Sequence, residues 1–260
     1  MTVTKDREWT FDTIAETYER MRPGYPDELY ADIFKMITID ESCNAVEIGI
    51  GGGQATLPIL ETGCKVTAVE YGKNFTELCK QKFKGYQNFS IVNMKFEDYE
   101  CEKGTCDLIY SASAFHWIPE EIGYPKVFDM LKSGGVFARF ANHPYKDKRR
   151  EDLSRELEKL YAIYMPEVSG RREYTEEDAK NLADIASKYG FIDISYKLYY
   201  RTRSFSAEEY LQLLSTYSDH AVLAESVRRE FFSKIKDVIN DYGGQITIYD
   251  TKDLQLARKP

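Results

Sequence analysis

The sequence predicts a doubly wound α/β fold, a parallel sheet covered by helices on both faces. Two observations carry this. From residue 44 to residue 141, short apolar runs that read as buried strands alternate with helical patterns across brief connections. The first of these runs then ends in an acidic residue and a glycine loop, Val46-Glu47-Ile48-Gly49-Ile50-Gly51-Gly52-Gly53. Sheets of this class present a nucleotide-like ligand in that way, at the carboxyl end of the first strand, where glycine lets backbone approach closely.

Each element follows in order. Residues 8–37 read as helical, with Phe11, Ile14, Ala15 and Tyr18 on one face, broken at Arg22-Pro23-Gly24-Tyr25-Pro26. Asp27 is the expected cap of the next helix, which carries Leu29, Tyr30, Ile33 and Phe34. Strand one is expected at 44–49, with a helix from Gln54 that has Pro58 near its first turn. Strand two runs Lys65–Tyr71 and a helix covers Asn74–Phe83. Strand three is Phe89–Met94 and strand four Asp107–Ala112. A helix between Pro119 and Leu131 leads through Lys132-Ser133-Gly134-Gly135 into strand five, Val136–Ala141. Composition shifts after Asn142-His143-Pro144. A charged amphipathic helix is expected over 147–164, and another over 175–189 with Thr175 as N-cap and Gly190 as its stop. Residues 191–203 alternate, which suits a strand with one wet face or an edge. Helices at 206–216 and 220–240 and a strand at 246–257 close the chain. The helices at 147–170 and 206–240 exceed what the sheet needs. They read as a cap over the ligand pocket, against the plainer alternative of extra packing or a dimer contact.

Composition narrows the function. The chain has 260 residues, 43% hydrophobic and 14% aromatic, enough for a sizeable core. A net charge of −8 argues against binding long nucleic acid, which needs phosphate neutralisation. No segment has the length of a membrane span, and the polar start lacks the apolar run of a signal peptide, so a cytoplasmic location with no membrane partner is expected. Cys43, Cys64, Cys79, Cys101 and Cys106 show no C-x-x-C spacing and read as reduced thiols. Three scattered histidines make no metal site.

The glycine spacing decides the ligand class. A dinucleotide fingerprint started at Gly49 meets Gln54 where its third glycine belongs, which argues against a nicotinamide oxidoreductase. The pattern present is E-x-G-x-G-x-G, formed by Glu47, Gly49, Gly51 and Gly53. It resembles the first motif of class I S-adenosylmethionine-dependent methyltransferases. Phe11-Asp12, Ala15, Tyr18, Arg22-Pro23, Tyr25-Pro26, Phe96-Glu97-Asp98 and Ala114-Phe115-His116-Trp117 are similar to the small-molecule branch that includes trans-aconitate methyltransferase-like proteins. The resemblance implies a Rossmann-like, seven-stranded, mostly parallel sheet with an antiparallel strand near its edge and a helical cap. The expected parts are an N-terminal helical lid at 1–37, a cofactor-binding core at 38–143, cap insertions at 144–174 and 206–243, a core helix and strand at 175–205, and a closing strand at 244–260.

The implied cofactor is S-adenosyl-L-methionine. Glu47 at the strand tip is placed to accept from the ligand ammonium, or else to cap the next helix. Glu70, about 20 residues after the loop begins, would take the ribose diol, because both carboxylate oxygens accept. Tyr71 either lies against the adenine or packs as an edge aromatic. Phe96 would offer an amide and an apolar face, with Glu97 or Asp98 supplying a carboxylate to the adenine amino group. Many relatives carry an Asp where Lys95 stands. Tyr18 and Arg22 would close over the amino acid end, with Arg22 able to fork onto a carboxylate; a surface ion pair is its alternative. Ser111 and Phe115 would pass beneath the sulfonium, where aromatic rings favour a cation.

His116 and Trp117 are the catalytic candidates. Methyl transfer is an in-line displacement that chiefly needs positioning and water exclusion. A carboxylate acceptor needs no base, whereas an amine, hydroxyl or carbon acceptor could use His116 or a cap tyrosine. His116 reads equally well as a structural hydrogen-bonder. The expected partner is a small-molecule acceptor. Arg139, Arg149, Arg150, Arg171 and Arg172 are basic residues that could favour an acidic one, against the plainer reading that most of them sit on solvated faces. The alternatives are a non-catalytic cofactor-binding regulator and a methyltransferase for a macromolecule. The Asn/Asp-Pro-Pro-Tyr/Phe motif of nucleic-acid amino methylases is absent after strand four, where Ser111-Ala112-Ser113-Ala114 stands. Oligomeric state is not legible.

Overall fold

The computed structural model describes residues 15–170 and 172–260, so Phe11, Asp12, Ile14 and Arg171 of the sequence analysis lie outside it. Seven strands form one sheet: β1 (Asn44–Ile48), β2 (Lys65–Glu70), β3 (Phe89–Asn93), β4 (Cys106–Ala112), β5 (Leu131–Lys146), β6 (Ile192–Ser206) and β7 (Gln245–Arg258). Their order is β3-β2-β1-β4-β5-β7-β6. The five strands from β3 to β5 are parallel, and β7 runs antiparallel to both β5 and β6. The strand order reverses between β1 and β4, the switch point where such sheets hold ligands.

The helices are α1 (Ala15–Met21), α2 (Asp27–Met36), α3 (Leu57–Leu60), α4 (Lys73–Lys82), α5 (Glu120–Met130), α6 (Glu151–Tyr164), α7 (Glu176–Asp184), α8 (Ala207–Ser215), α9 (Ser218–Ala221) and α10 (Glu225–Asp241). Local signals explain several boundaries. Thr175 caps α7 in a reciprocal box with Asp178, and Gly190 stops the following turn in the left-handed region. At α2 the cap position belongs to Pro26, and Asp27 is the first helical residue instead. The expected helix from Gln54 shrinks to α3, because residues 51–56 are spent on turns that carry the glycine loop. Strand β5 outruns its expected end at Ala141, since β7 pairs with it from Val136 to Lys146.

Strand alternation splits the core. One face of the sheet packs Ala45, Val66, Leu108 and Phe140 against Leu29, Ile33 and Ile59. The other packs Val46, Ile48, Ile109 and Phe137 against Phe115, Val127 and Phe191. A third cluster joins Leu153 and Leu157 of α6, Tyr210 and Leu213 of α8, and Phe231 and Ile235 of α10, with Met21 of α1 packed on it. The helices outside the minimal sheet thus share a core of their own that also anchors the end of α1. No helix among the described residues is long and apolar enough to cross a membrane.

Candidate active site

A cavity of about 1000 Å³ opens at the switch point. Its walls come from the carboxyl ends of β1, β2, β4 and β5, from α1, and from the cap residues Glu167, Tyr217 and Asp219. A cavity of that size suits a ligand of a few tens of heavy atoms.

At one end lies Glu70, nearly buried at 9% exposure. Its two carboxylate oxygens accept from the Gly51 amide (3.0 Å) and the Gly72 amide (2.7 Å). The two amides fix the carboxylate between the loops after β1 and β2. Tyr71, Phe96 and Glu97 line the cavity beside it. Tyr71 is half exposed under the Lys95 ammonium, 5.0 Å from its ring centre. Phe96 is buried, and its ring lies 5.3 Å from the ammonium of Lys126, which also donates to the Glu97 carbonyl (2.7 Å). Asp98 does not line the cavity, so Glu97 is the acid of that pair that faces it.

Toward the cap, Arg22 is sandwiched between the rings of Tyr18 (4.9 Å) and Tyr217 (4.2 Å). Its Nη2 donates to the Thr216 carbonyl (2.8 Å), while its Nε is buried without a partner. No carboxylate pairs with it among the described residues. The surface ion pair weighed from the sequence is absent there.

Besides Asp98, two sequence-derived ligand residues lie off the cavity. Strand alternation turns Glu47 down into the core, fully buried, where its Oε2 accepts from Thr56 (2.7 Å) and Tyr110 (2.9 Å). It does not line the cavity. Gly53 is also off the cavity: a side chain there would come within 2.6 Å of Phe83, so this glycine serves helix packing.

Burial pushes the Glu47 carboxyl up to about 8, against the hydrogen bonds from Thr56 and Tyr110. The folded protein therefore keeps a proton there that the unfolded chain loses above the ordinary carboxylate range. Stability is full below that range and falls as pH rises through about 8. One unit of displacement is 1.36 kcal/mol, so even half of this one amounts to roughly 2 kcal/mol. Thermal unfolding between pH 5 and pH 8 should show this decline in the wild type. Glu47→Gln, which retains an acceptor without a charge, should flatten it; equal slopes would contradict the assignment.

Ser111, Phe115, His116 and Trp117 line one stretch of the cavity after β4. Ser111 is buried and its Oγ donates to the Ile48 carbonyl (2.9 Å), tying β4 to β1. Phe115 is buried against Tyr124 and Phe137. His116 and Trp117 open onto the cavity. His116 is exposed at the cavity, so desolvation lowers its ring less than full burial would; the charges of Arg139 and His143 act in the same direction and keep it neutral at physiological pH. It has no hydrogen-bond partner among the described residues.

Further residues line the cavity beside those read as cofactor ligands. Arg139 of β5 touches the Tyr124 hydroxyl (3.2 Å) and lies 5.4 Å from the Phe115 ring centre, again with no carboxylate partner among the described residues. Of the other basic residues considered, Arg149 pairs with Asp147, Arg150 with Asp152 and Arg172 with Asp178, while Arg171 lies outside the described residues. His143, Tyr174, Asp253 and Gln255 also line this region. The antiparallel register of β5 on β7 gathers them, and nothing in the local sequence marks it. No group of three or more metal-ligating side chains is found among the described residues.

Comparison with known proteins agrees with this geometry. Residues 46–138 match the family described as methyltransferase domain. An uncharacterised methyltransferase of Schizosaccharomyces pombe is 22% identical over 233 residues, covering 88% of this chain and 87% of that one. Another, of Geobacillus kaustophilus, is 28% identical over 194 residues, covering 70% and 86%. The fold is shared with phosphoethanolamine N-methyltransferase 2 of Haemonchus contortus in complex with S-adenosyl-L-methionine. There the TM-score is 0.58 at 16% identity, over all of this chain and 61% of that one. Residues 46–138 are thus a methyltransferase domain, set in the strand order, switch-point cavity and glycine loop of the class I S-adenosylmethionine-dependent methyltransferase fold.

Proposed function

We propose that the protein moves the methyl group of S-adenosylmethionine onto a small acidic molecule of the kind the trans-aconitate-like branch handles. One observation carries the reading. Two partly buried arginines, Arg22 and Arg139, line a single cavity with no carboxylate partner among the described residues. A desolvated cation without an anion is costly, and a ligand anion relieves it. Arg22 and Tyr18 would take the carboxylate of the cofactor's amino acid end. Glu70 would accept from the ribose hydroxyls, Tyr71 and Phe96 would flank the adenine, and Glu97 would meet its amino group. Gly49 and Gly51 would pass beside the ligand. Glu47, Gly53 and Asp98 would act behind the site, by supporting the loops. Phe115 and Trp117 would set ring faces near the sulfonium.

Bound cofactor supplies a methyl group on a good leaving group, and the chain's own residues position the acceptor and exclude water. Arg139 would hold the acceptor's acidic group. That group either receives the methyl itself, with no base required, or serves as a handle for a neighbouring atom. The test is transfer of labelled methyl to a panel of small mono- and dicarboxylic acids. Arg139→Gln should raise the acceptor KM at least tenfold and leave S-adenosylhomocysteine affinity within about twofold. Preferential labelling of protein or nucleic acid, or an unmoved KM, would sink the reading.

A further inference from the structure

We infer that the β5–β7 floor of the cavity is an acceptor subsite in which His143, oriented by Asp253 and Tyr174, takes a proton from the methyl-accepting atom; the acceptor atom is therefore an O–H, N–H or acidic C–H group. This rests on the methyl-transfer reading above and goes beyond it, because a carboxylate oxygen would need no base.

The register brings the residues together. Arg139 opposes Gln255, Ala141 opposes Asp253 and His143 opposes Thr251, so Arg139, His143, Asp253 and Gln255 share one face of the sheet. Asp253 is fully buried. It accepts from the Ala141 amide (2.8 Å), the Tyr174 hydroxyl (2.8 Å) and the Gln255 amide group. Burial pushes its carboxyl up, but His143 and these donors outweigh burial and hold it below the ordinary range, so it stays ionised. His143 Nε2 lies 3.1 Å from Asp253 Oδ1. The ring is stacked flat on Tyr174, with centroids 3.6 Å apart and planes 4° apart.

A buried carboxylate beside Nε2 favours the tautomer with its hydrogen on Nε2, which leaves Nδ1 as the lone pair. The same carboxylate stabilises the imidazolium that forms, and the stacked Tyr174 limits the ring's rotation. His116 has neither support: no carboxylate orients it, and Arg139 opposes its charge.

His143 Nε2 meets Asp253 as a charge contact rather than an aligned hydrogen bond, and Gln255 Oε1 is buried without a partner. Both residues line the cavity, and Gln255 is only 6% exposed. The unpaired Gln255 Oε1, buried on this floor, points to a ligand that completes it. His143 meets Asp253 on β7 and Tyr174 ahead of α7, and its charge acts on His116 after β4; Arg139, Gln255, Glu167 and Asp219 line the same cavity.

The step balances as follows. The acceptor X–H bond breaks and its proton passes to His143 Nδ1. The electron pair left on X forms the bond to the methyl carbon. The carbon–sulfur bond breaks with its pair returning to sulfur, giving a neutral thioether and an imidazolium held by Asp253.

The test has two arms on the full chain saturated with S-adenosylhomocysteine or labelled donor. Nitrogen-15 NMR of the three histidines, assigned with single His→Asn variants, should find His143 as the Nε2–H tautomer at neutral pH, and Asp253→Asn should erode that preference. A dominant Nδ1–H tautomer, or none altered by Asp253→Asn, overturns the proposal. In the second arm, matched acids with and without a hydroxyl or amino group are offered with labelled methyl donor. Label should enter the hydroxy or amino members as alkali-stable product. His143→Asn should lower turnover about 100-fold and abolish the rising limb of the pH–rate profile, with S-adenosylhomocysteine affinity unchanged. Alkali-labile methyl ester, or a His143→Asn variant with the wild-type profile, overturns it. If no acid is labelled although donor binds, the small-acid reading fails, and the NMR arm still decides the role of His143.

Discussion

Replacing Glu70 with alanine is expected to weaken S-adenosylhomocysteine binding by at least about 100-fold. Charge-assisted hydrogen bonds to hydroxyls contribute about 1.5–3 kcal/mol each, and the diol would lose two. The carboxylate also ties two loops, since its oxygens accept from Gly51 and Gly72. A neutral isostere cannot replace it. The amide group of Glu70→Gln presents one acceptor oxygen and one NH₂, which would face a backbone N–H with another donor. Glutamine should therefore lose most of what alanine loses. Calorimetry separates ligand contact from loop support when a 2′-deoxy analogue is included. Wild type should prefer the intact ribose by about tenfold or more, and Glu70→Ala should bind both alike. Unaltered affinity in Glu70→Ala, or an undiminished preference, would contradict the ribose assignment.

Legibility followed the range of the interactions involved. The order of strands and helices through β5 was readable because each element announces itself over a few residues, through an apolar run, a glycine or a capping threonine such as Thr175. The loop after β3 was readable down to two acids, and the turn at Phe96–Asp98 turned Glu97 rather than Asp98 to the cavity. Glu47 misled for a stated reason. A carboxylate at a strand tip next to a glycine loop suggests a ligand contact, yet period-two alternation sends its side chain to the Thr56 and Tyr110 side. The polar floor was not readable at all. His143 and Asp253 are 110 positions apart, and only the pairing of β5 with β7 makes them neighbours. In the sequence, His143 is a lone histidine before a proline, and Asp253 is one acid in a charged strand.

Gly49→Ala is expected to lower the melting temperature by roughly 10 °C and to abolish measurable cofactor binding at ordinary ligand concentrations. Gly49 has φ +69°, and a Cβ built there would stand 2.4 Å from the Cβ of Ala114. The left-handed conformation costs an alanine about 1–2 kcal/mol. Overlap in a packed interior adds about 1–3 kcal/mol. In a chain of this size each kcal/mol shifts the melting point by about 2–4 °C. The clash is also at the ligand's threshold, because it forces the loop after β1 away from the loop after β4, the two walls of the switch point. Gly51 provides the contrast. It too is left-handed, at φ +54°, but a Cβ there meets nothing nearer than the Tyr18 ring at 3.6 Å, an ordinary contact. Gly51→Ala should thus suffer the conformational cost alone and lose less than half as much stability. The steric share can be isolated, since removing the facing Cβ with Ala114→Gly should restore a part of the loss in the double variant that it cannot restore in Gly51→Ala. If Gly49→Ala melts with the wild type, or if Ala114→Gly rescues neither stability nor binding, the close approach of β1 and β4 loops is not what the glycine at this position secures.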